Sequence, residues 1–341
     1  MKKILSLLMT STLMLSMVAC GTDSAAQKST DSQSTEVTEE ATTDDAKTYN
    51  VGVIQLVQHP ALDAATEGFQ AALTEKLGDS VTITVNNASG DSATCATIAN
   101  SFVSDNVDLI MANATPAMQA SETATSTIPI VATSITDYAT ALDISDWTGA
   151  TGTNVTGTSD LAPLDGQATM LNELFPDAKE VGIIYCSGED NSLYQANKIT
   201  EYLEGYGYNV TDYTFSDSAD VATVVQSACS SSDVLYVPTD NVAANCAETI
   251  NNVALTAGVP IVAGEEGICK GCGIATLSIS YYDIGYAAGL MAYDILVNGK
   301  DPATTEIQYA TEFTKEYNPL IAEQLGIEIP SDYEAIAMDE E

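Results

Sequence analysis

Apolar and polar positions alternate along this chain in blocks rather than residue by residue. Short runs at 51–57, 81–86, 107–111 and 128–133 are apolar enough to be strands covered on both faces. Between them, at 61–77, 92–104 and 115–124, apolar residues recur at helical spacing; Leu62, Ala65, Phe69 and Leu73 mark the first such stripe. Regular strand–helix alternation predicts an α/β fold, a parallel sheet with helices on both faces. After Leu161 the pattern starts again, with strands at 181–185, 209–215, 234–237 and 260–263 and helices at 191–203, 218–229 and 241–256. A repeat this long is not a solenoid, so two similar doubly wound lobes are expected. A further apolar run at 274–279, an amphipathic helix at 281–297, a short run at 306–309 and an acidic tail complete the chain. Connections near 157–163, 278–283 and 310–315 are expected to pass between the lobes. They would form a multi-strand hinge with a ligand cleft beside it. The expected first lobe is 48–160 with 284–310, and the second 161–283 with 311–335.

The N-terminal segment does not share this pattern. Lys2 and Lys3 precede an apolar run too short for a comfortable membrane span, and the run ends at Met17-Val18-Ala19-Cys20. Residues 1–20 therefore read as an export signal. The last four resemble a bacterial lipobox, which implies acylation of Cys20 and a lipid-anchored, extracytoplasmic protein. Residues 21–47 are Ser, Thr, Asp, Glu, Gln and Ala with few large apolar side chains, a composition that cannot offset its ordering entropy. They are expected to be a disordered tether.

Charge narrows the partners. Hydrophobic residues make up 45% of the chain, enough for a packed core, and the net charge is −38. All ten basic residues are lysines, so bidentate arginine clamps on phosphate or carboxylate are excluded. Nucleic-acid binding is not expected of so acidic a surface. His59, the lone histidine, lies in the polar turn Gln58-His59-Pro60 that leaves the carboxyl end of the first strand. In open α/β sheets ligands bind at that end.

Other turns in equivalent places supply hydroxyls, amides and acids. Asn113-Ala114-Thr115-Pro116 follows the third strand, and Thr115 is expected to cap the next helix with Pro116 at its first position. A helix N-terminus opened by a hydroxyl can cradle a carboxylate. Thr133–Asp137 follows the fourth strand. In the second half, Ser187–Ser192, Pro238–Asn241 and Gly264–Gly267 occupy matching positions. An acid in such a cleft can pair with a ligand ammonium; Asp240, Glu265 and Asp137 are the candidates, with aliphatic or Tyr side chains for the apolar remainder.

Here a family resemblance becomes specific. VGVIQLVQHPALDAATEGFQAAL, NATPAMQ, PIVATSITD, NVTGTSD, YVPTDN and AGEEG…GIATLSISYYDIG, in that order between about 51 and 327, resemble the substrate-binding lipoproteins of ABC importers of the tryptophan/tyrosine type. The resemblance implies a type I periplasmic-binding-protein fold and capture of an aromatic or other hydrophobic amino acid. It also implies delivery to a permease whose partner ATPase supplies the energy, and no cofactor in this chain. The cleft residues it implies are Gln58, His59, Ala114, Thr115, Asp137, Ser159, Asp160, Asn191, Ser192, Thr239, Asp240, Asn241, Glu265 and Glu266. The chain departs from the pattern at Cys269-Lys270-Gly271-Cys272, expected as a loop near the cleft. A nucleoside or sugar binder, or an extracellular sensory module, remain the alternatives.

Six cysteines follow Cys20: Cys95, Cys186, Cys229, Cys246, Cys269 and Cys272. Export favours disulfides, and the sequence does not choose among the pairings. Cys269-x-x-Cys272 has the spacing of a redox pair or half a zinc site, yet no second such pair or His pair accompanies it, so no metal is expected. No G-x-S-x-G, H-E-x-x-H, G-x-G-x-x-G or P-loop is present, and an enzyme is not expected.

Overall fold

The computed structural model describes residues 47–338; the expected signal peptide, Cys20 and all of the tether but Lys47 lie outside them. The first half runs β1 (Tyr49–Gln55), α1 (Pro60–Leu77), β2 (Val81–Asn87), α2 (Ser92–Ser104), β3 (Leu109–Asn113), α3 (Thr115–Ala124), β4 (Ile130–Ile135), α4 (Tyr138–Ala141) and β5 (Val155–Ser159). The second runs α5 (Leu164–Leu174), β6 (Glu180–Cys186), α6 (Asp190–Gly205), β7 (Asn209–Phe215), α7 (Val221–Cys229), β8 (Val234–Val237), α8 (Asn241–Asn245), α9 (Ala247–Ala257), β9 (Ile261–Ala263), α10 (Glu266–Cys272) and β10 (Ala275–Ser278). Then come α11 (Tyr281–Asn298), β11 (Gln308–Tyr309), β12 (Thr314–Tyr317), α12 (Pro319–Leu325) and β13 (Glu334–Ala335).

Among the described residues the strands form two sheets, ordered β2-β1-β3-β4-β5-β11 and β7-β6-β8-β9-β10-β12-β13. All pairs are parallel except β10 with β12. The chain is thus α/β with two doubly wound lobes. β1 and β6 hold equivalent places, each with the next strand on one side and the one after on the other. Their registers set Val53 opposite Val85 and Met111, and Ile183 opposite Asp212 and Tyr236. In both sheets the strand order reverses beside β1 and β6, which opens a crevice at their carboxyl ends.

Each sheet is covered on both faces. Ile54, Ile110 and Met118 lie in one cluster of the first lobe, and Val53, Phe69, Leu73 and Met111 in the other, where α11 contributes Ala288 and Met291. The α1–α11 contact is unusually close because glycines form it: a Cβ on Gly68 would lie 2.1 Å from the Tyr282 carbonyl oxygen, and one on Gly285 2.0 Å from that of Ala65. This contact sets where Tyr281, the first residue of α11, meets the crevice.

Several elements depart from expectation for identifiable reasons. β5, expected only as a connection, is a fully buried strand whose Thr and Gly residues hide it from an apolar pattern. Its Thr156 hydroxyl donates to the Thr305 carbonyl and its Thr158 hydroxyl lies within hydrogen-bonding distance of Thr133 and the Ile284 carbonyl, so burial leaves neither unsatisfied. Gly157, at φ 151°, passes close to the Tyr138 hydroxyl, which donates to the Ala132 or Thr158 carbonyl. The helix expected at 241–256 breaks at Cys246 into α8 and α9. Residues 269–272 are not a loop but the last turn of α10. α5 begins at Leu164, where Gly and Thr interrupt the apolar stripe. Ala114, at φ 92°, takes the N-cap of α3, so Thr115 is its first helical residue and caps nothing. All six described cysteines are free thiols.

Candidate functional site

The two crevices face each other around a narrow gap, closed down to about 10 Å³, roughly the room of one water molecule. The first lobe contributes His59, Ala61 and Leu62 after β1, Ser134 on β4 and Asp160 just past β5. The second contributes Asn191, Thr239, Asp240, Asn241 and Glu265 from the turns after β6, β8 and β9. Tyr281 closes it from the hinge side. Larger grooves lie outside, one of about 360 Å³ between Pro60, Glu266, Lys270 and Glu316. The inner cavity differs in kind. Among the described residues that line it, three carry a buried polar atom without a partner: His59 Nδ1, Ser134 Oγ and Asn191 Oδ1. Such atoms cost stability unless something pairs with them.

Carboxylates at the cavity divide into two kinds. Asp240 and Glu265 are N-caps with both oxygens engaged. Asp240 takes the backbone N–H of Ala243 at 2.7 Å and of Cys186 at 2.6 Å, and Glu265 takes those of Gly267 and Ile268. Asp137, the third acid expected to hold an ammonium, caps α4 by accepting from the Thr140 N–H and lies outside the cavity. Asp160 is different: its partners are side chains, the Thr136 hydroxyl at 3.1 Å and the Tyr281 hydroxyl at 3.0 Å. Burial pushes it up to about 6, against the pull of those two hydrogen bonds. Burial likewise raises Glu265 to about 7, opposed by its backbone donors, and raises Asp240, with the Glu189 charge adding to the rise.

Of the residues singled out from sequence, His59, Asp160, Asn191, Thr239, Asp240, Asn241 and Glu265 line one cavity. The others do not. Gln58 is exposed, and Glu266 lines the outer groove. Thr115 and Asp137 line a separate rim crevice with Tyr194, and Ala114 is the cap beside it. Ser159 is buried behind the cavity, donating to the Thr136 carbonyl, and Ser192 bonds Glu189. Sequence reasoning missed Ser134, Thr136, Glu189, Gln195 and Tyr281. Ser134, Thr136 and Glu189 lay within turns already marked, though none was singled out; the φ of 58° at Ser134 is not visible in the sequence.

Three hydrogen bonds cross the cleft: His59 Nε2 to Asn241 Oδ1 at 3.3 Å, Gln195 Nε2 to Thr136 Oγ1 at 3.4 Å, and Gln119 Nε2 to Asp190 Oδ2 at 3.0 Å. The lobes are therefore closed on one another. A bilobed α/β protein with its cavity at paired switch points has the architecture of a type I periplasmic binding protein.

Residues 50–339 match the family of ABC transporter substrate binding proteins, and the chain belongs to that family. A tyrosine-binding protein of Clostridioides difficile is 37% identical over 311 residues, covering 89% of this chain and 88% of that protein. A Streptococcus pneumoniae ABC domain solved in complex with L-Trp is 32% identical, covers 84% of this chain and 97% of its own, and superposes with a TM-score of 0.80. A ligand-free, open substrate-binding protein with adhesive properties from Clostridium difficile is 34% identical over 85% of this chain and all of its own, yet reaches only 0.66. The family is one of solute-binding proteins rather than enzymes.

Proposed function

We propose that this protein captures an aromatic amino acid, tyrosine or tryptophan, between its lobes and presents it to an ABC permease. The carrying observation is the closed cavity with three unpartnered polar atoms at the strand ends, in a chain 37% identical to a tyrosine-binding protein. Asp160 and its neighbours suit an ammonium. The N-terminus of α1, which has no side-chain cap and no N–H at Pro60, offers the amides of Ala61 and Leu62 to a carboxylate. Leu62, Ile268 and the Tyr281 ring supply apolar wall. Ligand would stabilise the closed form by its differential affinity for it.

Members of this family work outside the cytoplasm, which fits an export signal at 1–20 and an acylated Cys20 as anchor. Loss of lipid labelling in Cys20→Ser tests the anchor. Thermal unfolding of residues 21–341 against single amino acids, nucleosides and sugars tests the solute. A ligand at 100 times its dissociation constant adds about 2.7 kcal/mol of stability. A rise in Tm with tyrosine or tryptophan is expected, and a rise only with a nucleoside or sugar would overturn the amino-acid assignment.

A further inference from the structure

One carboxylate fixes two of the three unpartnered atoms. Glu189 is buried, and its Oε2 accepts from Asn241 Nδ2 at 2.9 Å, the Asn241 backbone N–H at 3.1 Å, Asn191 Nδ2 at 3.1 Å and Ser192 Oγ at 3.3 Å. A carboxylate only accepts, so both asparagines must turn their NH₂ groups toward it. Asn241 then points Oδ1 at His59 Nε2, and because that oxygen also only accepts, the imidazole must donate from Nε2. A neutral ring donating from Nε2 leaves Nδ1 as a bare acceptor. Burial, the largest influence on His59, lowers its pKa and favours the neutral ring, against the hydrogen bond to Asn241 and the charge of Asp63 on its own helix; Asp160, Asp240 and Glu265 line the same cavity. Asn191 is held the same way, since its NH₂ also faces Ser192 Oγ at 3.2 Å and the Thr239 carbonyl at 3.3 Å, and its Oδ1 is left over.

We propose that Glu189 is a positioning residue that polarises the cavity: through Asn241 and Asn191 it presents His59 Nδ1 and Asn191 Oδ1 purely as acceptors. The pocket therefore grips the N–H donors of a ligand ammonium and rejects the same molecule without its amine. This rests on the amino-acid reading above and names the group on which its selectivity turns. Ser134 Oγ, able to serve either role, is the third unpartnered atom, and Asp160 lines the same cavity. A ligand lacking the amine would leave two buried acceptors unpaired, the situation in which binding sites discriminate most strongly.

Two measurements on residues 21–341 test this. His59 is the lone histidine, so ¹⁵N shifts of its ring report the tautomer, read with L-tyrosine present to hold the lobes closed. The Nε2–H form is expected in the wild type, its loss in Glu189→Gln, whose amide can turn Asn241 around, and its recovery in Glu189→Asp. An Nδ1–H ring in the wild type would overturn the proposal. Calorimetry then compares L-tyrosine, tyramine and 3-(4-hydroxyphenyl)propanoate, with the tryptophan series beside them. The amine-free acid is expected to bind roughly 100-fold or more weakly than the amino acid, and Glu189→Gln to narrow that ratio. Equal binding of amino acid and amine-free acid to the wild type would overturn the polarity. Equal weakening of both by Glu189→Gln would reduce Glu189 to a structural role. If none of the probes binds, the amino-acid reading falls, and the ligand-selectivity claim with it, whatever tautomer the histidine shows.

Discussion

Replacing Asp160 by Asn should make the ligand-free protein more stable at high pH while weakening its grip on ligand. The carboxyl is buried and bonded only to the Thr136 and Tyr281 hydroxyls, and burial raises it from 3.8 to about 6. A group whose folded value lies above its unfolded one favours folding while protonated. That contribution is intact below pH 4 and is lost as pH rises through 6. The interval between 3.8 and about 6, at 1.36 kcal/mol per pH unit, amounts to about 3 kcal/mol of stability surrendered by pH 8. Asn at the same position keeps one acceptor oxygen, can donate to the Tyr281 oxygen once that hydroxyl reorients, and never ionises.

The assay is denaturant unfolding of both proteins at pH 4.5 and pH 8 without ligand. Asp240 and Glu265 also titrate in this window but are common to both proteins, so the difference between them isolates Asp160. The Asn variant should gain on the wild type between the two pH values by about 2–3 kcal/mol, read as a higher midpoint at unchanged slope. With tyrosine or tryptophan the order should reverse, because an ammonium beside the ionised wild-type carboxylate offsets its burial. A variant destabilised equally at both pH values would refute the reasoning, since the carboxylate would then be a plain structural acceptor.

The same electrostatics predicts that ligand binding near pH 6 releases protons, as an incoming ammonium pulls Asp160 and Glu265 back down. Calorimetric heats should then depend on the ionisation enthalpy of the buffer at pH 6 and cease to do so at pH 8.5. Gly285→Ala, whose Cβ would meet the Ala65 carbonyl at 2.0 Å, should force α11 off α1 and lower stability by about 1–3 kcal/mol, whereas Gly205→Ala, with open space around it, should be close to neutral. Iodoacetamide under native conditions should modify the half-buried Cys229 and Cys246 first. Cys95, Cys186, Cys269 and Cys272 are buried and their thiols raised by desolvation, so peptide mapping should find them labelled only on unfolding.

What a sequence displays is whatever repeats locally. β1, β3 and β8 are buried along their apolar stretches, so each was visible as a continuous run, and the stripe along α1 was visible for the same reason. β5 was hidden because it is buried by hydrogen bonding rather than by greasy side chains, and its partners Thr305 and Ile284 lie more than a hundred positions away. The turn positions of the site were legible too, since the carboxyl ends of buried strands in a doubly wound sheet can be counted off in order.

The roles within those turns were not legible, because they depend on which acids are consumed by backbone. Asp137, Asp240 and Glu265 each precede a helix by one residue, and their carboxylates go to the exposed N–H groups of its first turn. Sequence spacing alone makes every one of them a candidate ammonium partner. The structure leaves Asp160 free of a helix, and Glu189 accepts from three side chains and the Asn241 backbone N–H. His59 acquires its polarity only when closure brings it against Asn241, 182 positions away, whose amide Glu189 already holds within the second lobe. The chemistry of this cavity is therefore completed by closure: apart, the second lobe holds an asparagine already turned by Glu189 and the first a histidine with no fixed tautomer, and together they make a surface of defined sign.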